Sequence, residues 1–532
     1  MRSEKSIPVF TVLMIALPVL SLTLVAPIGM DNSVWQSMAI DLLRYGKLPY
    51  IGSWDVNFPG VLLIHCTGIM LFGTSDFAFR AFDVLLNLCF VFLLYRFERR
   101  WLNPRAALIG VMLYVTWYLA GGSPLYAQRD VFIGMFLVIA FDQLFDLGDG
   151  RSEWRRLVIA SLCLGISVII RPTSLLFAAV ASFAIEGSGL TRWWKRVLFV
   201  ASTCIPLVIS LIPYCYIQGG LQTYYISTIR FIIDLYSKFR SPWTAIFTVS
   251  IDSYPIYFFC ICGLIYLYRN RARTLEGLSR VPERREIWIT GCALLAWFFI
   301  LVIQRKFLRY QFAPGTILLI PLAAYGADRI ISRLPDPRRR AACMLLGVLL
   351  LMYGIRWSPL LSFASKFPDV QAALTASHCD VLRDKRTGKS VELQTIAHLN
   401  LPKYRNATIE VISYDAHLRA DLGRDYLSRY TTMSALTLRT NPDRDDDSSH
   451  PEYQRQWRRA YVDSLKMKRP EVIVIGSEVG YWYLGDLWDD SFHNLAGFDE
   501  LMQTNYRFDT SFGGYQIYEL REGVVTVGMA KK

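Results

Sequence analysis

Charged side chains border the apolar segments of this sequence, and they are the residues best able to do chemistry. A charge at the edge of a membrane core is costly, so each one is a functional candidate. A carboxylate there could act as a general base, and several cations could bind an anion. These residues come from five separate segments that we place at one membrane depth, namely Asp31, Asp55, Arg80, Arg129, Asp130, Arg171, Arg305, Lys306 and Arg309.

Structural roles are the alternative for the same residues. Asp31 could cap a helix over 34–44, and Asp130 could cap the next apolar segment and pair with the arginine before it. The basic string 304–310 could serve as snorkelling anchors. Arg171 could form a salt bridge with an acid such as Asp130, which would make it a stability residue.

The composition indicates a membrane protein with several spans. Hydrophobic residues make up 53% of the 532 residues and charged residues 19%, and the mean hydropathy is +0.29. Soluble domains carry about 25% charged residues, so an ordinary soluble enzyme is excluded, as are disordered and fibrous chains. The net charge of +13 fits cytoplasmic loops rich in Lys and Arg, so we expect no nucleic-acid partner.

Eleven membrane spans position these residues in the predicted topology. Basic residues flank both ends of segment 154–186, which predicts a hairpin of two spans with Arg171 near the outer face. The positive-inside rule then places the N-terminus in the cytoplasm and the C-terminus outside. Besides that hairpin, the predicted spans are 7–29, 77–95, 106–120, 131–147, 197–217, 254–268, 287–303, 312–327 and 341–355.

Two regions outside the spans carry predicted structure. The first outer loop, 30–76, contains an amphipathic helix at 34–44 and a second interfacial helix at 59–72. We therefore predict a transmembrane domain over 1–360 that includes this loop. Residues 361–532 are polar, and strands alternate there with helices, which predicts a soluble extracytoplasmic α/β domain. Its predicted strands are 408–414, 471–476 and 515–520, and its predicted helices are 451–468 and 497–503.

An ordered set of motifs over residues 7–330 resembles the C-type (GT-C fold) polyprenyl-phosphate-dependent glycosyltransferases. The most similar group is glycosyltransferase family 39 with its bacterial relatives, which include protein O-mannosyltransferases and lipid A aminoarabinose transferases. The resemblance implies a polytopic helical membrane enzyme and a lipid-phosphate sugar donor. The motifs that carry it are DNSVW from residue 31, NFPG from 57, GTSDFAFR from 73, YAQRDVF from 126, GISVIIRP from 165 and RYQFAP from 309.

The resemblance also implies residue roles. The family's acid after the first span is the catalytic base, which corresponds to Asp31, although the family's common second acid is Asn32 here. The acid opening the fourth span corresponds to Asp130, as an orienting acid or a possible divalent-metal ligand. Relatives have a lysine where this chain has Phe58, and Arg171, Arg305 or Lys306 would substitute for that phosphate contact. The predicted substrate-binding residues are Asp55, Asn57, Arg80, Arg129, Arg171, Arg305, Lys306, Arg309 and Tyr310.

We therefore predict an enzyme of the bacterial inner membrane that transfers one sugar, with inversion, from a polyprenyl-phosphate donor. The acceptor would be a glycan, lipid or protein of the cell envelope, on the periplasmic or outer face. A polyprenyl phosphate is a good leaving group, so the enzyme needs a base and cations rather than a strong acid. The alternatives are a transporter or flippase of a lipid-linked sugar, and a membrane-anchored binding protein without catalysis. Transporters often show internal repeats, and we find none.

Overall fold

The computed structural model divides the chain into two compact units, each described here by itself. Unit 1 comprises Met1–Gly29, Phe77–Leu211 and Ser241–Pro368, and unit 2 comprises Met30–Asp76, Ile212–Arg240 and Asp369–Lys532. Loop 30–76 thus groups with the tail, whereas we predicted that it belongs to the transmembrane domain. The structure describes residues 9–26, 28–147, 153–186, 189–238, 240–269, 278–338, 389–413, 416–439, 449–476, 495–512 and 515–522, with isolated positions between 341 and 349.

Unit 1 is built from apolar helices. In the described part, four helices are long and apolar enough to cross a membrane, or five if a pair bent by 41° counts as one span. The prediction of eleven spans therefore stays a prediction, and its last span, 341–355, lies mostly outside the described residues. The helices are α1 (Val9–Ser21), α4 (Asp76–Glu98), α5 (Pro104–Gly121), α6 (Arg129–Leu144), α7 (Glu153–Ile170), α8 (Leu175–Ser182), α9 (Gly189–Thr203), α10 (Ile205–Cys215), α13 (Ala245–Val249), α14 (Tyr254–Arg269), α15 (Arg284–Gln304) and α16 (Ala313–Ser332).

The chain breaks at Arg171, as the hairpin prediction required. Arg171 has extended backbone, with φ −154° and ψ 109°, and a 3-10 turn over Pro172–Ser174 follows. Proline disfavours the helical conformation in the residue before it, which explains the end of α7. The second arm, α8, has only eight residues and is too short to cross a bilayer alone.

Helices α14 and α16 approach each other closely enough to require glycine. A Cβ on Gly326 would lie 2.0 Å from the carbonyl oxygen of Phe259, and one on Gly263 would lie 2.7 Å from that of Leu322. Small residues let membrane helices pack backbone to backbone. This contact fixes α16, whose N-terminal end carries part of the candidate site.

Unit 2 begins with α2 (Met30–Tyr45) and α3 (Pro59–Phe72). Residues Asn32–Asp41 of α2 are buried on every side, so polar side chains of the helix have protein partners, and its interfacial position stays a prediction. Gln36 Nε2 donates to the carbonyl of Thr74 at 2.6 Å, and Asp41 lies 3.6 Å from the Arg419 guanidinium. Burial raises the pKa of Asp41, and Arg419 opposes that rise.

The polar tail forms a four-stranded sheet in unit 2. Strands β1 (Ile409–Ile412) and β2 (Val472–Gly476) are parallel, and β4 (Tyr515–Leu520) runs antiparallel to β2 and to β3 (Tyr506–Phe512), in the order β1-β2-β4-β3. Three predicted strands and two predicted helices are confirmed here. Strand β3 is missing from the prediction because only its first residue is fully buried. The helices are α11 (Gly220–Tyr225), α12 (Phe231–Asp234), α17 (Lys389–Leu399), α18 (His417–Leu422), α19 (Ser434–Thr437), α20 (Glu452–Lys468) and α21 (Phe498–Asn505).

Candidate active site

An ion pair between Asp130 and Arg171 forms the centre of the candidate site in unit 1. Asp130 lies in the first turn of α6, and its side chain is 2% exposed. Arg171 donates from a terminal guanidinium nitrogen to Asp130 Oδ1, and Arg129 Nε lies 3.4 Å from Oδ2. The N-cap residue of α6 is Gln128, so Asp130 does not cap it. The alternative that Arg171 pairs with an acid is thereby confirmed.

Gln304 holds the Arg171 guanidinium from its other side, and Gln311 holds Gln304. Its second terminal nitrogen donates to Gln304 Oε1, at the end of α15. The same oxygen accepts from Gln311 Nε2 at 3.2 Å. Since Arg171 also meets Asp130, its planar group is fixed in orientation, which favours bidentate binding of an anion. Neutral amides carry no charge signal, so the sequence analysis missed Gln304 and Gln311 as site residues.

Arg129, Tyr310 and Lys306 complete the cluster. An Arg129 guanidinium nitrogen lies 3.4 Å from the Tyr310 hydroxyl, and its guanidinium carbon lies 5.4 Å from the centre of the Tyr310 ring. Lys306 lies in the loop between α15 and α16 and is only 6% exposed. Burial lowers the pKa of Lys306 well below its usual value, and the like charges of Arg129 and Arg171 lower it further.

The cluster therefore brings three basic side chains, Arg129, Arg171 and Lys306, against one carboxylate, Asp130. A cluster with this surplus of cations is suited to bind an anion. A small pocket opens beside it, and its remaining walls are mostly apolar. The pocket is lined by Asp130, Ile133, Arg171, Thr173, Ser174, Phe177, Trp297, Ile300, Leu301, Gln304, Gln311 and Pro314.

Two further predicted cations in unit 1 have contacts of their own. The Arg305 guanidinium lies 4.8 Å from the Trp243 ring centre, and its Nε donates to the carbonyl of Ser241 at 3.2 Å. Arg309 Nε lies 3.0 Å from Asp252 Oδ2. These contacts favour structural roles, and substrate binding by either arginine stays a prediction.

Arg80 is completely buried in unit 1. Its Nε donates to the carbonyl of Ala26 at 3.2 Å, its guanidinium lies 5.2 Å from the Tyr126 ring centre, and Asp83 lies 3.7 Å away. The hydroxyl of Tyr118 donates to Asp83 at 2.8 Å. This polar network inside the helices favours a positioning role for Arg80. Its predicted contact with substrate stays a prediction.

The other predicted site residues, Asp31, Asp55 and Asn57, lie in unit 2. Asp31 is half-buried in the first turn of α2, which begins at Met30, so Asp31 is not the N-cap. Asp55 accepts hydrogen bonds from Trp35 Nε1 and from Asn57 Nδ2, both at 2.9 Å. Trp35 lies one turn after Asp31, so α2 carries the predicted base and also anchors the loop with Asp55.

The possible metal role of Asp130 has no support in the described residues. Among them, no group of three or more histidine, cysteine or acidic side chains is placed to hold a metal ion. Asp130 instead faces two arginines, whose charges repel a cation. We therefore derive no step through a metal.

Comparisons with known proteins show what this chain is similar to. Residues 58–216 match the family model described as dolichyl-phosphate-mannose-protein mannosyltransferase. The undecaprenyl phosphate-alpha-4-amino-4-deoxy-L-arabinose arabinosyl transferase of Edwardsiella ictaluri is 31% identical over 126 residues. That match covers 24% of this chain and about a fifth, 21%, of the length of that relative.

The fold is shared along nearly the whole chain with a solved enzyme. ArnT from Cupriavidus metallidurans, solved with undecaprenyl phosphate bound, matches with a TM-score of 0.58 and 14% identity, over 97% of this chain and 98% of that one. Its apo form matches with a TM-score of 0.57 and 15% identity, over 96% and 97%. The chain therefore shares its fold with ArnT, and residues 58–216 carry its similarity to the mannosyltransferase family model.

Proposed function

We propose that this protein transfers a sugar from a polyprenyl-phosphate donor to an acceptor of the cell envelope. The observation that carries the proposal is the cluster of three basic side chains around Asp130, beside a mostly apolar pocket. A polyprenyl-phosphate sugar carries one negative charge, and the departing polyprenyl phosphate carries about two above its second pKa of about 6. Basic side chains held close together bind the departing group better than the donor, because the departing group carries the larger negative charge. Binding the departing phosphate more tightly than the donor is what accelerates the reaction.

The residues divide the chemistry between them. Arg171, Arg129 and Lys306 stabilise the charge that develops on the phosphate as the bond to the sugar breaks. Asp130 is the orienting acid, because it holds the guanidinium group of Arg171 in place. Asp31 takes the proton of the acceptor hydroxyl as it attacks the anomeric carbon, and direct displacement there inverts the configuration. Asp55 and Asn57, which are hydrogen-bonded to each other, bind substrate.

Phe58 stands where the family has a lysine, and the buried Lys306 supplies a cation in its place. Because Arg129 and Arg171 are its neighbours, Lys306 acts on the same phosphate as they do. The undecaprenyl phosphate named in the solved ArnT complex supports a lipid phosphate as the ligand. We place the reaction on the outer face of the bacterial inner membrane.

A panel of donors tests this function. Purified protein in lipid nanodiscs would be incubated with radiolabelled undecaprenyl-phosphate sugars and a detergent extract of the cell envelope. Label that moves into the envelope fraction, together with release of undecaprenyl phosphate, is the expected result. In sealed vesicles, label that crosses the bilayer while still attached to its carrier would identify a flippase instead. Protein that binds the acceptor but transfers nothing from any donor would identify a binding protein.

The tail is expected to be extracytoplasmic, because eleven spans starting from a cytoplasmic N-terminus end outside. Alkaline phosphatase, which is active only outside the cytoplasm, should be active when fused after Lys532. The same enzyme fused at Met1 should be inactive. Activity from a cytoplasm-only reporter at Lys532 would mean that the span count is even, and the hairpin at Arg171 would be the first candidate for the error.

Binding of undecaprenyl phosphate should weaken as the pH rises above 7. Burial and like charges lower the pKa of Lys306 in the free protein, and a bound anion raises it again. Binding therefore takes up a proton at any pH between these two values, so the affinity falls as the pH rises from the lower value to the higher one. Phosphate monoesters titrate near a pKa of about 6, so measurements above pH 7 isolate the lysine.

The control for that pH profile is Lys306→Arg. Arginine keeps its charge at all accessible pH values, so this variant should bind undecaprenyl phosphate with a flat profile. Calorimetry in two buffers of different ionisation enthalpy would measure the proton uptake directly. An equal proton uptake in the native protein and in Lys306→Arg would contradict the assignment of Lys306 to the phosphate.

A further inference from the structure

A helix in unit 2 that the sequence analysis did not predict has one buried face. It runs through α11 (Gly220–Tyr225), a π-helical turn over Ile226–Arg230, and α12 (Phe231–Asp234). One face is almost completely buried within the unit and carries Tyr224, Ser227, Thr228 and Phe231. Tyr224 packs on Tyr50 with ring centres 5.0 Å apart, and Phe231 packs on Trp54 at the same distance. The helix is therefore fixed beside the loop that carries Asp55.

The opposite face of this helix is an exposed apolar stripe with one member every four residues. The stripe consists of Leu221, Tyr225, Ile229 and Ile233, which are 46%, 49%, 37% and 61% exposed. Every fourth residue lies on the same side of a helix, so the four side chains form one surface. Such a contiguous apolar surface marks an interaction site rather than a scatter of single exposed residues.

Position along the chain and charge indicate what covers the stripe. The preceding helix, α10, ends at Cys215, and it forms with α9 a pair apolar enough to count as one membrane span. Five residues then reach at most about 18 Å, so Gly220 lies within that distance of the end of α10. Segment 220–240 carries the exposed cations Arg230, Lys238 and Arg240 against one acid, Asp234. An apolar face with basic neighbours at the end of a span matches a surface of anionic lipids.

We propose that helix Gly220–Asp234 docks on an anionic membrane surface, with the stripe Leu221, Tyr225, Ile229 and Ile233 inserted among the lipids. Arg230 within the helix, and Lys238 and Arg240 after it, contact the lipid headgroups. Because the buried face packs on Tyr50 and Trp54, this docking sets the depth of the adjoining loop in the membrane interface. The proposal does not depend on the proposed function, since it concerns lipid contact and not sugar transfer.

Site-specific photo-crosslinking tests the docking in the full-length protein. A photoreactive benzoylphenylalanine would replace Ile233 in nanodiscs of phosphatidylcholine and phosphatidylglycerol, and adducts would be identified by mass spectrometry. The matched control carries the same group at Met467 of α20, which is also apolar and 66% exposed. We expect lipid adducts at least ten-fold more abundant at position 233 than at position 467.

The headgroup contacts are tested by a second variant, Arg230→Gln combined with Lys238→Gln and Arg240→Gln. In nanodiscs with equal amounts of the two lipids, the native segment should give more phosphatidylglycerol than phosphatidylcholine adduct. The triple variant should lose that preference and keep its lipid adducts. Adducts at 233 to a second protein chain, or lipid adducts no more abundant than at 467, would overturn the docking. A preference that the triple variant retains would overturn the role of the three cations.

Discussion

Asp31→Asn is expected to abolish sugar transfer while the protein stays folded. An amide cannot accept the proton of the acceptor hydroxyl, and losing a general base costs about 10²- to 10⁴-fold in rate. Asp31 lies in the first turn of α2, where a carboxylate gains about 0.3–1 kcal/mol from the helix dipole. Loss of the dipole interaction should lower the free energy of unfolding by about that amount. Turnover with the donor found in the panel and the thermal midpoint would be measured on the same preparations.

Asp499→Asn is the matched control for that substitution. Asp499 also lies in the first turn of a helix of unit 2, α21, so it loses the same dipole interaction. It should change the thermal midpoint about as much as Asp31→Asn and leave turnover as in the native protein. Near-native turnover in Asp31→Asn would remove the base assignment. Asp31 would then have only a structural role at the start of α2.

Arg171→Ala is expected to weaken the binding of undecaprenyl phosphate by about ten- to hundred-fold, the loss of a charge-assisted contact worth about 1.5–3 kcal/mol. It should also destabilise the protein. Arg171 pairs with the buried Asp130, and removing one partner of a buried pair costs about 3–5 kcal/mol. The stability loss by itself thus cannot reveal the role of Arg171. Binding must be measured below the thermal midpoint of the variant.

Arg105→Ala separates the two effects. Arg105 pairs with Asp328, which is completely buried elsewhere in unit 1, at 2.6 Å. This variant breaks a comparable ion pair and should lower the thermal midpoint, yet bind undecaprenyl phosphate like the native protein. Arg171→Lys should recover only part of the binding, because lysine keeps the positive charge but lacks the planar guanidinium. If Arg171→Ala and Arg105→Ala bind undecaprenyl phosphate equally well, Arg171 is a structural residue and the phosphate role is refuted.

The class of the protein and many of its helices could be predicted from the sequence, because long apolar segments have few alternatives to helices in a membrane. The break at Arg171 was predictable as well, since proline acts on its immediate neighbour. The strands β1, β2 and β4 were visible as short apolar runs between turns. Strand β3 was not, because most of its residues are exposed and gave no burial pattern.

The candidate site was predictable as a set of charges but not as a geometry. Charges next to apolar segments identified Asp130, Arg171 and Lys306, since a charge beside an apolar segment is costly and can be read directly from the sequence. Which cation faces which anion depends on helices far apart in sequence. Arg171 therefore meets Asp130 and Gln304, whereas Arg309 meets Asp252. Those pairings distinguish the basic cluster beside Asp130 from the ion pairs elsewhere in unit 1.

The sequence by itself determined that this is a membrane protein with a polar tail and a surplus of cations, because composition and hydropathy are local properties. Only the tertiary structure decided that α2 is buried on every side over Asn32–Asp41 and that loop 30–76 groups with the tail. Within this helix, Asp41 and Gln36 find partners in Arg419 and Thr74. A buried polar group is tolerated when another group satisfies it, and a partner distant in sequence leaves no local pattern.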